Sequence, residues 1–470
     1  MIEPSWTSLL PPILAIGLAL ATRQVYLALF AGVWLGSFLL LGGQPLEILA
    51  ALDAAIERSI AVLASPGDAR VILFTLVIGA FIYTLERNGA VTGFVAFLER
   101  AKWVTSAKRA QWMAFLIGVL IFIESNITLL VAGTVSRPLF DRFKISREKL
   151  AYIIDSTSAP ICILIPLNAW GAFNLGLLEG LGVQEPLKVF LSSIPMNLYA
   201  ITAVALTAFS ISRNYNPGAM SQAESKAKER AANNEASTAV DPIEFEKDNS
   251  VPRALNMLLP IVALIIAMPI GLYVTGNGDL LAGSGSKSVL WASLIGLLVI
   301  SLLSLIQRNM NLTQLSNVWM RGAGRMLPIA TILLLALALG SVARELGTGI
   351  YIAGLIGDSI AIWLLPAVIF AISGLIAFSV GSSWGTFSIM LPIAIPVAAA
   401  MGAEPAVFVA AVLSGGIFGD HASPISDTTI VASLASGTEH IDHVKTQLPY
   451  ALIAGAISAV GFVVLGFVLL

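Results

Sequence analysis

Long apolar stretches recur along nearly the whole chain, and polar positions are confined to short segments between them and to a few places inside them. In the first half these stretches cover residues 9–22, 25–41, 69–85, 110–135, 149–178 and 189–212. In the second half they cover 254–275, 288–306, 327–342, 360–401, 405–436 and 448–470. Runs of roughly 17–25 apolar residues are long enough, as helices, to cross ~30 Å of hydrocarbon. A weaker amphipathic stretch precedes the third element of each half, at 46–63 and 312–326. The matching order predicts an internal structural repeat. Between the halves, 213–253 is polar and lacks apolar periodicity, which predicts a solvated, mobile linker. The chain thus divides into an N-terminal transmembrane repeat (1–212), a linker (213–253) and a C-terminal transmembrane repeat (254–470).

Composition makes lipid the solvent. Hydrophobic types form 57% of the chain and charged types 11%, against roughly 45–50% and about 25% in a soluble protein. Mean hydropathy is +0.88. A net charge of −2 gives no sign of a nucleic-acid partner, and none is expected. Cys162 is the single cysteine and cannot form an internal disulfide. The first apolar run has neither a basic segment before it nor a small-residue cleavage site, so it reads as a retained span.

Charge placement adds orientation, because cytoplasmic loops collect Lys and Arg. Arg87, Arg100, Lys102, Lys108 and Arg109 precede the 110–135 stretch, and Arg137, Arg142, Lys144, Arg147 and Lys149 follow it. A single span cannot begin and end on one side. The stretch therefore reads as a re-entrant hairpin with its tip at Glu124–Asn126, each arm about 12 residues or ~18 Å of helix. The 360–401 stretch is flanked by Asp358 and Glu404, as a hairpin entering from outside would be. Propagating these choices puts Arg23, the linker, Arg308, Arg321, Arg325 and Lys445 inside and both termini outside. The expected fold is an all-α polytopic membrane protein built as an inverted-topology repeat. Each half has five spanning helices and one re-entrant hairpin, with broken helices at the centre.

Ionisable groups at membrane depth are costly and mark pathways or coupling sites. Glu124, Asp155, Asp420 and Asp427 qualify, each in a stretch that disfavours a continuous helix. Glu124, Ser125, Asn126 and Thr128 sit at the first tip. Asp155, Ser156, Thr157 and Ser158 precede Pro160 inside the fifth element, and the GSSWGT run at 381–386, with Ser383 and Trp384, forms the second tip. Asp420, His421, Ser423, Pro424, Ser426, Asp427, Thr428 and Thr429 lie inside the eleventh. Proline removes a backbone donor, and small hydroxyl residues compete for helical bonds, so unwound segments are expected at both breaks. Freed carbonyls, hydroxyls and a carboxylate form the oxygen-rich shell that a hard cation such as sodium takes, and half-helix N-termini can face an anion there. Any one Ser or Thr can equally bond back to its own backbone. His421, with a reference pKa of ~6.5, is either a proton carrier or a packing donor. Asn168, Trp170 and Asn174, after Pro166, either line a cavity or belong to the core. Arg344 and Glu345 read as an interfacial pair. His440, Asp442 and His443 look like a zinc cluster, but they read as a short loop without a fourth ligand.

The segment 419–452, GDHASPISDTTIVASLASGTEHIDHVKTQLPYAL, closely resembles the motif of the NhaC-type sodium/proton antiporter family, and GSSWGT at 381–386 is similar to it as well. The resemblance covers the hydropathy plan of nearly the whole chain and is weakest in the first span and the linker. It implies a secondary transporter in a bacterial cytoplasmic membrane, exchanging sodium for protons. The wider ion-transporter group to which this family is similar includes carriers of amino acids and organic anions. There, two hairpin tips and two helix breaks form sodium sites around a central substrate. The resemblance thus implies sodium ligands among Asp420, Ser423, Ser426, Asp427, Thr428 and Thr429. By symmetry, Glu124, Ser125, Asn126, Asp155, Ser156 and Thr157 are the expected counterparts. Sodium is the expected ion and no other cofactor is. The alternative is a sodium-coupled carrier of a small organic solute, for which Asn168 and Trp170 suggest room. A homodimer is left open, and no nucleophile–base pair or phosphate loop points to an enzyme.

Overall fold

The computed structural model describes residues 5–22, 24–90, 92–94, 104–122, 124–166, 168–232, 253–279, 283–357 and 361–470, and there is no strand among them. Among these residues, eight helices are long and apolar enough to cross a membrane, or ten when each of two bent pairs counts as one span. In hydrocarbon, backbone groups must be satisfied within the segment, and a helix does that by itself. The chain is an all-helical, multi-pass membrane protein. Arg23, Arg100, Lys102 and Asp358, used above for orientation, lie outside the described residues.

The two halves show a similar order of elements, with additional short helices in the first. The first runs Leu10–Thr22, Val25–Leu41, Ile48–Ala64 and Pro66–Arg87, and then Ala107–Leu120 and Ser125–Arg142, which fold back on each other. An interrupted helix follows (Arg147–Ser156, Ala159–Leu164, Ala169–Gly180), then Pro186–Ser193 and Leu198–Arg213. The second runs Leu255–Thr275, Gly285–Ile306, Leu312–Glu345 and Thr348–Gly357, and then the folded-back pair Leu365–Val380 and Ser383–Ala400. Pro405–Ala422 and Asp427–Ser436 form its interrupted helix, and His440–Leu469 closes the chain. The amphipathic stretch 312–326 is not a separate element but the first part of Leu312–Glu345, which runs through Pro328. Its counterpart in the first half is separate, because Pro66 has no N–H and starts a new helix capped by Ser65.

Close packing positions the centre. Gly415 and Gly419, four apart, let Pro405–Ala422 approach Leu365–Val380, where a Cβ would run into the Phe370 and Gly374 carbonyls. Glu345 does not pair with Arg344. It takes both terminal guanidinium nitrogens of Arg58 at 2.6 and 2.8 Å, while Arg344 donates to the Gly180 carbonyl at 3.1 Å.

The polar segment 213–253 departs from the expectation of a wholly mobile linker. Residues Ala219–Ala232 are helical, Met220 is fully buried, and 233–252 lie outside the described residues. Glu224 Oε1 accepts from the Ser146 amide at 3.0 Å and the Ser146 hydroxyl at 2.7 Å. A single buried methionine and one carboxylate dock this helix, which a search for apolar periodicity cannot detect. Beneath it, Lys149 is not a solvated loop charge. It is buried, and its ammonium donates to Ser210 Oγ at 2.8 Å, Asn216 Oδ1 at 2.9 Å and Tyr450 OH at 3.1 Å. Replacing Glu224 with Ala removes the acceptor for both Ser146 donors, a loss of about 1–3 kcal/mol. Limited proteolysis in detergent is expected to cut within 219–232 faster than in the parent, and an unchanged cleavage rate would show that Glu224 does not hold the helix down.

Candidate functional site

In the second half, a hairpin tip and a helix break are built to meet. Gly381 turns the tip in the left-handed region (φ +71°), and Ser382 then caps Ser383–Ala400 by accepting from the Gly385 amide at 3.2 Å. The break runs from Ser423 to Ser426, and Ser426 caps Asp427–Ser436 by accepting from the Thr428 amide at 3.2 Å. Asp420 is buried between them. Its Oδ2 accepts from Ser383 Oγ at 2.5 Å and its Oδ1 from Ser426 Oγ at 2.6 Å. Thr428 Oγ1 lies 3.0 Å from Ser426 Oγ. Ser423 and Thr429 serve the backbone of the break: Ser423 Oγ donates to the Phe378 carbonyl, and Thr429 Oγ1 to the Ser423 and Ser426 carbonyls. Asp427 is exposed at the head of its helix, with Oδ1 on the Thr428 amide at 3.0 Å, and it acts electrostatically on both Asp420 and Glu124.

The first half is built differently. Glu124 caps its own hairpin arm: Oε2 accepts from the Ile127 amide at 2.9 Å, and Oε1 from Asn126 Nδ2 at 3.0 Å and Ser125 Oγ at 3.2 Å. Thr128 Oγ1 donates to the Ile121 and Glu124 carbonyls. Asn168 stitches this tip to the broken helix. Its Nδ2 donates to the Phe122 carbonyl at 2.9 Å and the Cys162 carbonyl at 2.7 Å, and its Oδ1 caps Ala169–Gly180 through the Gly171 amide at 2.9 Å. The break falls at Thr157 and Ser158, ahead of Pro160. Pro160 stands in the first turn of Ala159–Leu164, where a missing N–H costs nothing. Thr157 Oγ1 bonds back to the Ile153 carbonyl at 2.8 Å.

Asp155 is bonded to the last helix, not to Glu124. Its Oδ2 accepts from Gln447 Nε2 at 2.6 Å and lies 3.3 Å from His443 Nε2. His421 also joins the two breaks, with Nε2 at 3.1 Å from Ser156 Oγ and Nδ1 at 2.7 Å from Tyr199 OH. His440, Asp442 and His443 are not a loop but the first turn of His440–Leu469. His440 turns to the Pro424 carbonyl at 2.6 Å and Ser433, while His443 turns to Asp155. Gln447 and Tyr199 are thus central residues that sequence reasoning missed, and His443 is one that it placed in a loop. The available signal was His443 and Gln447 four apart, on one face of a helix just ahead of the 448–470 apolar stretch. Trp170 and Asn174 are buried, and half-buried Trp384 packs on Trp170 and Phe173 with ring centroids 4.9 and 4.7 Å away.

Chemically, the Asp420 set offers only oxygens: one carboxylate, two hydroxyls in contact with it and a third behind. The N-termini of Ser383–Ala400 and Asp427–Ser436 begin at these residues, and their partial positive charge favours an anionic carboxylate. Both Nδ2 hydrogens and Oδ1 of Asn168 hold backbone groups, so its first effect is structural. Asn168→Ala leaves the Phe122 and Cys162 carbonyls without this donor at roughly 1–3 kcal/mol each. A thermal-shift assay in detergent is expected to show a clear fall in melting temperature, and a melting temperature equal to the parent's would show that the stitch is not needed.

The model of the Na+/H+ antiporter family matches residues 161–467. An uncharacterized protein of Haemophilus influenzae is 32% identical over 98% of this chain and 91% of its own length. The malate-2H(+)/Na(+)-lactate antiporter of Bacillus subtilis is 35% identical over a shorter match, 23% of this chain and 22% of that protein. The YdaH transporter of Alcanivorax borkumensis shares the fold at 13% identity, with a TM-score of 0.59 over 89% of this chain and 88% of that one. This chain belongs to the Na+/H+ antiporter family of secondary transporters.

Proposed function

We propose that this chain exchanges sodium for protons across the cytoplasmic membrane of a bacterium by alternating access. The observation that carries this reading is Asp420, a buried carboxylate whose two oxygens each receive a serine hydroxyl, one from a hairpin tip and one from a helix break. A hydroxyl can donate to a bare carboxylate or rotate and offer a lone pair to an ion. The same shell therefore serves Asp420 with sodium bound and Asp420 with a proton bound. Two occupants competing for one carboxylate is what exchange requires. Asp427, exposed beside it, is the carboxylate an arriving cation meets first. In this reading the halves form an inverted-topology repeat, each with five spans and one re-entrant hairpin, and both termini lie outside. The matching element order and the two folded-back pairs support it.

A second reading, sodium-coupled transport of a small organic solute, is favoured by one observation. Trp384, beside Ser383, packs on Trp170, and the Trp170 indole N–H and Asn174 Oδ1 are buried without hydrogen-bond partners. A donor and an acceptor four residues apart on one helix could meet a polar solute.

In liposomes holding the purified chain, a sodium gradient alone is expected to move internal pH without any organic solute. Asp420→Asn should weaken apparent sodium affinity by at least about tenfold, or ~1.4 kcal/mol. Ser383→Ala should have a smaller effect, because water can replace one neutral ligand. Sodium-driven accumulation of an organic acid with no pH response in solute-free vesicles would establish the second reading instead. For the topology, cysteines placed at Arg109 and Arg137 are expected to react with an impermeant label from the cytoplasmic side only. Labelling from opposite faces would make the first folded-back pair a plain crossing and remove the inverted repeat.

A further inference from the structure

Besides the contact of His421 with Ser156, a second side chain joins the two helix breaks. Gln447 is buried, and its Nε2 donates one hydrogen to Asp155 Oδ2 at 2.6 Å and the other to the His421 carbonyl at 2.7 Å. Asp155 is the next-to-last residue of Arg147–Ser156, and His421 is the next-to-last residue of Pro405–Ala422. The His421 carbonyl is available because of the break. In a continuous helix it would accept from the amide four residues on, but the Ile425 amide goes to Ser423 Oγ at 3.2 Å. Gln447 fills the vacancy and in doing so ties the end of one broken helix to the carboxylate at the end of the other.

We propose that Gln447 is a positioning residue that couples the two breaks, so that a displacement of Asp155 is transmitted to Asp420. This rests on the exchange reading above and assigns the connection within it. The two hydrogens of an amide nitrogen are fixed in one plane, so displacing either acceptor strains or breaks the bond to the other. Asp420 directly precedes His421, so a moved His421 carbonyl moves the backbone that carries the Ser383 and Ser426 bonds. An amide does not ionise. Gln447 therefore keeps both donor hydrogens whatever the protonation of its neighbours, without itself carrying an ion. His443, one turn earlier, reaches the same Oδ2 at 3.3 Å but makes no bond to the second break, so it does not duplicate the link.

The test measures sodium uptake and internal pH in the same vesicles, giving protons moved per sodium for the full-length protein, Gln447→Leu and Gln447→Asn. Leu removes both bonds at similar volume. Asn keeps the amide, and with it the polarity that favours folding, but is one methylene too short to span both acceptors. Both variants are expected to move sodium while protons per sodium falls severalfold, as follows when the coupling free energy between two sites is lost. The parent's ratio of protons to sodium in both variants, with only a slower rate, would make Gln447 a packing residue and overturn the proposal. Absence of sodium-driven pH change in the parent itself would instead remove the exchange reading, and the coupling role with it.

Discussion

A backbone amide or carbonyl that leaves a helix inside a membrane has no water to turn to, and each one left bare costs several kcal/mol. The centre of this protein contains two helix breaks and two hairpin turns, so it frees many such groups at once. Most of the polar side chains gathered there answer that need. Asn168 takes the Phe122 and Cys162 carbonyls, Ser423 the Phe378 carbonyl, Thr429 the Ser423 and Ser426 carbonyls, and Gln447 the His421 carbonyl. Glu124, Ser382 and Ser426 cap the helices that restart. On the exchange reading, chemistry is left to a minority: Asp420 with its two hydroxyls, exposed Asp427, and Asp155, whose Oδ1 has no hydrogen-bond partner.

The two halves share an element order but meet this constraint in different ways. Asp420, Ser383 and Ser426 all belong to the second half, so that shell keeps its shape when the half moves as a body. Asp155 belongs to the first half and is held by His443 and Gln447 of the second, while His421 meets Ser156 and Tyr199 across the same boundary. Any shift of one half against the other changes the surroundings of Asp155 before it changes those of Asp420. On the exchange reading, this makes one carboxylate the holder of the ion and the other the group that registers which way the carrier faces.

How much of this is legible in the sequence depends on the range of the contact. Apolar run length sets the helices, and glycine and hydroxyl-rich clusters mark both tips and both breaks within a few residues. Pro160 follows its break, which falls in the hydroxyl run expected to unwind before it, because the first turn of a new helix tolerates proline better than the end of an old one. Partners far apart in the chain are not legible. Lys149 reads as a loop charge until Ser210, Asn216 and Tyr450 are seen around it. His443 reads as a surface residue next to His440 until the helix start shows that the two rings diverge. The Glu224–Ser146 contact leaves no periodicity at all, since one carboxylate and one cap suffice.

The same division bears on why one scaffold can suit different cargo. The oxygen shell is made by residues 383–428 of the second half. The aromatic surface beside it comes largely from Ala169–Gly180 of the first, through Trp170 and Phe173 against Trp384. Changes along Ala169–Gly180 could enlarge or reshape the space beside Trp384 without touching Asp420 or its two serines. On the solute reading, cation binding and solute choice would then vary independently, because the groups responsible sit on different helices that meet through the rings of Trp384 and Phe387.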